Sequence, residues 1–143
     1  MAALCYASDH EQVVDIMIAL TRPATLDGVI IAGSESMELY LSLRRRGFGR
    51  VATPATCHLA RRRYAIGLVA GRDLVAALAQ ASPFLTVNSV IAVLIESSEG
   101  ALSMKIRHRL QEMGFGIEAG VRCRRGLVLF ACRHGVCQMR QAA

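Results

Sequence analysis

Asp27 to Met37 reads DGVIIAGSESM: a short apolar strand (Val29, Ile30, Ile31), a glycine turn at Gly33 and a hydroxyl-rich lead into a helix. An apolar run without polar alternation predicts a strand buried on both faces, as in a parallel sheet. In a doubly wound α/β fold, the first strand-to-helix turn is where an anionic or nucleotide ligand meets the amides of a helix N-terminus. Gly33, Ser34, Glu35 and Ser36 are therefore candidate ligand-loop residues. A glycine and two serines are also what helix capping by itself selects, so the ordinary cap is the somewhat stronger reading of the same four residues.

Downstream, Met37, Leu39, Tyr40, Leu41 and Leu43 form an apolar stripe that runs to Arg44, Arg45 and Arg46, whose charges oppose the negative pole of a helix, and Gly47 supplies the stop. Arg50 to Thr53 is a weaker strand before Pro54, and CHLARRR (57–63) has room for a short helix at most. Tyr64 to Ala70 is the next buried strand. Gly71 ends it, and Asp73 can cap a helix carrying Leu74, Val75, Ala77, Leu78 and Ala81 until Ser82-Pro83 breaks it. Ser89 to Ile95 (SVIAVLI) is β-branched and uniformly apolar, and belongs at the sheet centre. Ser97 and Ser98 lead into a helix with Leu102, Ile106, Leu110 and Met113, closed by Gly114. Ile117, Ala119, Val121 and Cys123 then alternate with polar neighbours up to Arg125-Gly126, and Leu127 to Cys132 follows at once, which predicts a closing hairpin over 116–133. Residues 134–143 read as a frayed tail.

Upstream, residues 1–23 predict a leading helix. Asp9 with Gln12 resembles a capping box, Val13, Val14, Met17, Ile18 and Leu20 recur at helical spacing, and Arg22-Pro23 ends the segment. The alternation of strands and helices gives one α/β domain over 1–143: a three-layer αβα sandwich with a mostly parallel, Rossmann-like sheet and a C-terminal antiparallel hairpin.

The bulk properties narrow the function classes. At 143 residues, 53% hydrophobic and 20% charged, the chain buries a substantial core and is not an extended disordered segment. The longest apolar runs fall short of a membrane helix and the N-terminus lacks a basic signal-peptide start, so a cytoplasmic protein without membrane contact is expected. Five scattered cysteines without a C-x-x-C pair point to reduced thiols rather than a zinc cluster or a disulfide framework, and no metal is expected. The net charge of +6 would attract nucleic acid in a general way, yet no aromatics interleave with Arg44 to Arg46 or Arg61 to Arg63. Those clusters read as solvated faces, and His58 and His108 as surface residues. No G-x-S-x-G, H-E-x-x-H or P-loop string is present, and the catalytic residues are unknown.

Taken in order, these elements resemble a class I S-adenosylmethionine-dependent methyltransferase, whose parallel sheet ends in a helix followed by an antiparallel hairpin. SVIAVLI, the helix ending LQEMGFGIEAGVRC and the strand GLVLFACR carry the resemblance, which spans Leu26 to Arg133. It implies an S-adenosylmethionine or related nucleoside site built from Gly33, Ser34, Glu35, Ser36 and Thr53, with Gly71, Arg72 and Asp73 facing a small-molecule or other substrate. The departures fall at that site. The family's first turn carries an acidic residue and closely spaced glycines, where this chain has IIAGSES. The family's second strand ends in an acid that accepts the ribose hydroxyls, where this chain has Thr53-Pro54-Ala55-Thr56. The interval from there to Tyr64 is near the shortest possible crossover, so the family's third strand has no room. A methyltransferase-like domain is the first expectation. A non-catalytic binding or oligomerisation module, pairing through the N-terminal helix, is the alternative.

Overall fold

The computed structural model describes residues 2–22, 27–55, 64–96 and 100–133, and within 2–8 only the backbone. CHLARRR, with His58 and the Arg61 to Arg63 cluster, Ser97 and Ser98, and the tail lie outside the described residues. The elements are α1 (Ala2–Thr21), β1 (Val29–Ala32), α2 (Ser36–Arg45), β2 (Val51–Ala52), β3 (Tyr64–Val69), α3 (Leu74–Ala81), β4 (Leu85–Ile95), α4 (Gly100–Glu112), β5 (Phe115–Cys123) and β6 (Gly126–Arg133). Ser82-Pro83-Phe84 is a short 3-10 turn, as the proline dictates.

The strands form one six-stranded sheet in the order β2-β1-β3-β4-β6-β5. β2, β1, β3 and β4 run parallel, and β6 and β5 antiparallel. Because every buried strand sends alternate side chains to opposite faces, the apolar residues divide into two cores. Val29 and Ile31 join Val13, Val14, Met17, Leu39, Leu43 and Leu94 beneath α1 and α2. Ile30 joins Leu74, Leu78, Ile91, Val93, Ile106 and Leu110 beneath α3 and α4. The αβα sandwich is thus the observed architecture, with β1, β3 and the Ser89 to Ile95 segment at its centre. Among the described residues no helix is long and apolar enough to cross a membrane.

Two local readings change. The helix at the N-terminus already runs from Ala2, so Asp9 and Gln12 lie in its interior and are not a capping box. Their side chains reach the hairpin turn instead: the Gln12 Oε1 accepts the Arg124 amide at 3.2 Å, and Asp9 lies 3.5 Å from the Arg124 guanidinium. β4 begins at Leu85, upstream of Ser89, across a break in register between Tyr64 and Ile66 of β3. Leu85 to Asn88 alternates apolar and polar for only four residues directly after the proline turn, a short signal that pairing with β3 extends into the strand.

Candidate functional site

The C-terminal ends of the parallel strands form one rim, and the antiparallel hairpin delivers its turn to the same place. Ile95 at the end of β4 pairs with Leu127 near the start of β6, so Arg125 in the hairpin turn sits over the β1 and β3 turns. Gly33 (φ +107°) and Gly71 (φ +119°) end β1 and β3 in the left-handed region that favours glycine. What they admit is each other's turn. A Cβ on Gly33 would lie 2.0 Å from the Ala70 carbonyl oxygen, and one on Gly71 would lie 2.2 Å from the Ser34 Oγ.

The polar groups of the two turns are bonded across this contact and within the β1 turn itself. The Glu35 amide donates to the Ala70 carbonyl at 3.3 Å, the Ser36 amide to the Gly33 carbonyl at 3.2 Å, and the Arg72 amide to the Ser34 Oγ at 2.9 Å. Ser34 therefore ties the two turns together rather than capping α2. Glu35 occupies the N-cap position of α2 but its carboxylate makes no capping bond. It meets the Arg125 guanidinium in a two-pronged pair, Nη1 to Oε1 at 2.7 Å and Nη2 to Oε2 at 2.6 Å, while the same Nη2 reaches Glu96 Oε1 at 2.7 Å. The Arg125 and Glu35 side chains are 10% and 16% exposed. The guanidinium bonds hold the Glu35 carboxyl below the usual carboxylate range, outweighing its desolvation, and the two carboxylates hold Arg125 more firmly protonated still.

The structure brings Ser34, Glu35, Gly71 and Arg72 together around a cavity of about 420 Å³ that Arg125 and Glu96 complete. Asp73 lies in two adjoining hollows and starts α3 from a left-handed φ of 50°, again without a side-chain cap bond. Gly33 lines the hollow on the α3 side. Ser36 and Thr53 are not part of this rim gathering: they line a separate groove of about 550 Å³ between α2 and β2, with Met37, Tyr40 and Val51. Arg125 and Glu96 went unread in the sequence as site residues. The signal was topological: a hairpin antiparallel to β4 must place its turn at the carboxyl end of β4, so a charged residue in that turn faces the β1 helix start.

His10 of α1, Glu35 and Glu38 offer nitrogen and oxygen atoms within 4.8 Å of one another, and the His10 Nε2 is buried without a hydrogen-bond partner. Both Glu35 oxygens are already bonded to Arg125, and that guanidinium repels a cation at the same spot. Arg46, read from sequence as part of a solvated face, instead pairs with Glu11 and Asp15 of α1. Arg44 lies over the Tyr40 ring and donates to the Gly49 carbonyl, and Arg45 stays exposed. His108 is exposed, 3.5 Å from Glu112 one helical turn on. Cys123 and Cys132 are free thiols, and burial pushes the Cys132 thiol up.

No family model matches the sequence, and no curated protein matches it. Solved structures do match in fold. A precorrin-6y C5,15-methyltransferase from Geobacter metallireducens is 11% identical, with 86% of this chain and 88% of that one covered and a TM-score of 0.59. The tRNA (m1A58) methyltransferase TrmI from Aquifex aeolicus is 11% identical over 87% and 69%, with a TM-score of 0.61. A precorrin 8W decarboxylase from Methanobacterium thermoautotrophicum is 17% identical over 87% and 90%, with a TM-score of 0.53. The chain has the class I methyltransferase fold, with six strands in its sheet among the described residues.

Proposed function

We propose that this chain is a methyltransferase-like domain whose cofactor rim is closed by internal contacts, and that it works as a non-catalytic binding module. The observation that carries the reading is the clamp of Arg125 between Glu35 and Glu96. S-adenosylmethionine at this rim would need free amides after Gly33 and a free acid to accept ribose hydroxyls. The Glu35 and Ser36 amides are spent on Ala70 and Gly33, the Glu35 carboxylate is spent on Arg125, and Thr53 lies in another groove. A neutral hydroxyl at Thr53 lacks the charge-assisted bond that an acid would supply, worth about 1.5–3 kcal/mol. The residues present do not fit the cofactor, so no methyl-transfer step is assigned to them.

The likeness to methyltransferase structures favours the other reading, with S-adenosylmethionine or a related nucleoside in the 420 Å³ cavity and Gly71, Arg72 and Asp73 toward a substrate. Thermal unfolding with S-adenosylmethionine and S-adenosylhomocysteine separates the two. A ligand at about 100 times its dissociation constant adds about 2.7 kcal/mol and raises the midpoint by several degrees. A closed rim gives no shift at millimolar ligand. A shift of several degrees with either compound would overturn the closed-rim reading.

A further inference from the structure

The outer face of α2 is a feature that the rim does not absorb. Leu39, Ser42 and Leu43 point inward, so the helical period turns Met37 and Leu41, one turn apart, directly away from the sheet. They are 64% and 52% exposed, two of the four large apolar side chains left to solvent among the described residues. Tyr40 and the apolar groove against Val51 and Ala52 continue this surface on one side, where β2 is an edge strand of two residues. On the other side, toward α1, stand two exposed charges of opposite sign, Glu38 and Arg45, the latter 71% exposed and held by a 3.7 Å contact with Glu11 that a partner carboxylate can share. They are two helical turns apart and share one flank of the stripe.

That spacing is self-complementary. A two-fold axis perpendicular to a helix reverses its direction but keeps each flank on its own side. With the axis beside Leu41, Glu38 of one copy therefore lies opposite Arg45 of the other, and Arg45 opposite Glu38, while Leu41 packs on its own symmetry mate. Met37 then lies along the aliphatic stem of an arginine at the far end of the second helix. A single polar pair of this kind fits many partners, but two opposite charges placed symmetrically about an apolar centre fit a second copy of the same helix. On α1, Val13, Val14 and Met17 are 1% exposed or less against their own sheet.

We infer that the outer face of α2 is a homodimer interface, formed by antiparallel pairing of Met37 and Leu41 with two reciprocal Glu38–Arg45 ion pairs. The inference deepens the reading of the domain as a binding module by naming its partner, and the two fail separately. Ligand-induced stabilisation would remove the closed rim and leave the dimer standing, whereas the hydrodynamic result below is blind to the rim. A face built on one ten-residue helix and its flanking groove is at the small end of specific interfaces, so the dimer is concentration-dependent.

Sedimentation equilibrium of the full chain, from low micromolar to several hundred micromolar, tests it. The mass should rise from 15.5 kDa toward twice that value across the range. Leu41→Glu places a charge on the two-fold axis and should keep the protein monomeric. Glu38→Arg sets like charges opposite each other and should weaken dimerisation by about tenfold or more. The double variant Glu38→Arg/Arg45→Glu reverses both charges and should restore the dimer, a rescue that no loss of folding can imitate. Circular dichroism checks that each variant is folded. A wild-type chain that stays monomeric at every concentration, a dimer indifferent to Leu41→Glu, or a folded double variant that does not regain the dimer would each overturn the assignment.

Discussion

The rim and the outer face of α2 lie on the same short helix and treat their polar groups in opposite ways. At the rim, the amides of Glu35, Ser36 and Arg72, the Ser34 hydroxyl and the Glu35 carboxylate are turned onto one another and onto Arg125. On the outer face, Met37, Leu41, Glu38 and Arg45 extend into solvent. A helix N-terminus attracts a ligand through unspent donors, and here the neighbouring turn and the hairpin have taken them. The region that looks like a site has its turn amides and the Glu35 carboxylate already bonded within the fold, and the region that looks like an ordinary surface stripe leaves its large apolar side chains to solvent.

The largest effect expected comes from the turn-to-turn contact. Gly33→Ala must either push the Ala70 carbonyl away or abandon the turn, and should cost about 3 kcal/mol or more in urea unfolding. Gly47 supplies the control, because its φ of +95° is also left-handed but nothing lies within 4 Å of a Cβ there. Gly47→Ala should therefore cost only the backbone term, about 1 kcal/mol. Equal losses at the two positions would mean that φ alone, and not the contact with β3, demands glycine at 33.

Removing the clamp should come next. Arg125→Ala leaves Glu35 half-enclosed without its cation, and should lower stability by about 1–3 kcal/mol. A variant as stable as the parent would show that the rim is not held by this pair.

The same pair fixes a pH dependence. Glu35 binds its proton more weakly folded than unfolded, because Arg125 bonds the ionised form. Its contribution is complete above the ordinary carboxylate range and is lost as pH falls through the depressed folded value. Glu11, held down by Arg46, acts in the same direction. Stability measured from neutral pH down to about pH 3 should fall, and Arg125→Ala should show a shallower fall because only the Glu35 share is removed. Parallel curves for the two proteins would argue that Glu35 titrates normally.

The smallest effect concerns Ser34. Ser34→Ala removes the acceptor of the Arg72 amide, and should cost about 1 kcal/mol in the same unfolding assay, with Arg72 still able to reach water. No loss at all would mean that water already replaces this bond and that Ser34 is free for another use.

Much of the architecture is legible in the chain before any coordinates. The runs VII, YAIGLVA and SVIAVLI lack polar alternation, and that pattern already places them inside a parallel sheet. The alternation of Ile117, Ala119, Val121 and Cys123 before Arg125-Gly126 likewise forces a hairpin. Gly33, Ser34 and Glu35 were legible as a group at the first strand-to-helix turn, and Gly71 and Arg72 at the next. Their partners were not. Asp9 and Gln12 look like a capping box because local spacing reports only on the helix they sit in, while their contacts are with Arg124, far along the chain.

By itself the sequence determined what depends on neighbours within a few residues: which segments are strands and helices, where glycine must turn the chain, and that a hairpin closes the sheet. These follow from periodicity and backbone sterics, which act locally. The tertiary structure decided what those residues are used for. Whether the glycines at 33 and 71 admit a ligand or each other, whether Glu35 is free or clamped, and which side of α2 is left bare all depend on groups separated by tens of residues. Hydrogen bonds and ion pairs are short-ranged, so only the folded sheet, by setting the β5–β6 turn over the β1 turn, could determine which donors remained unspent.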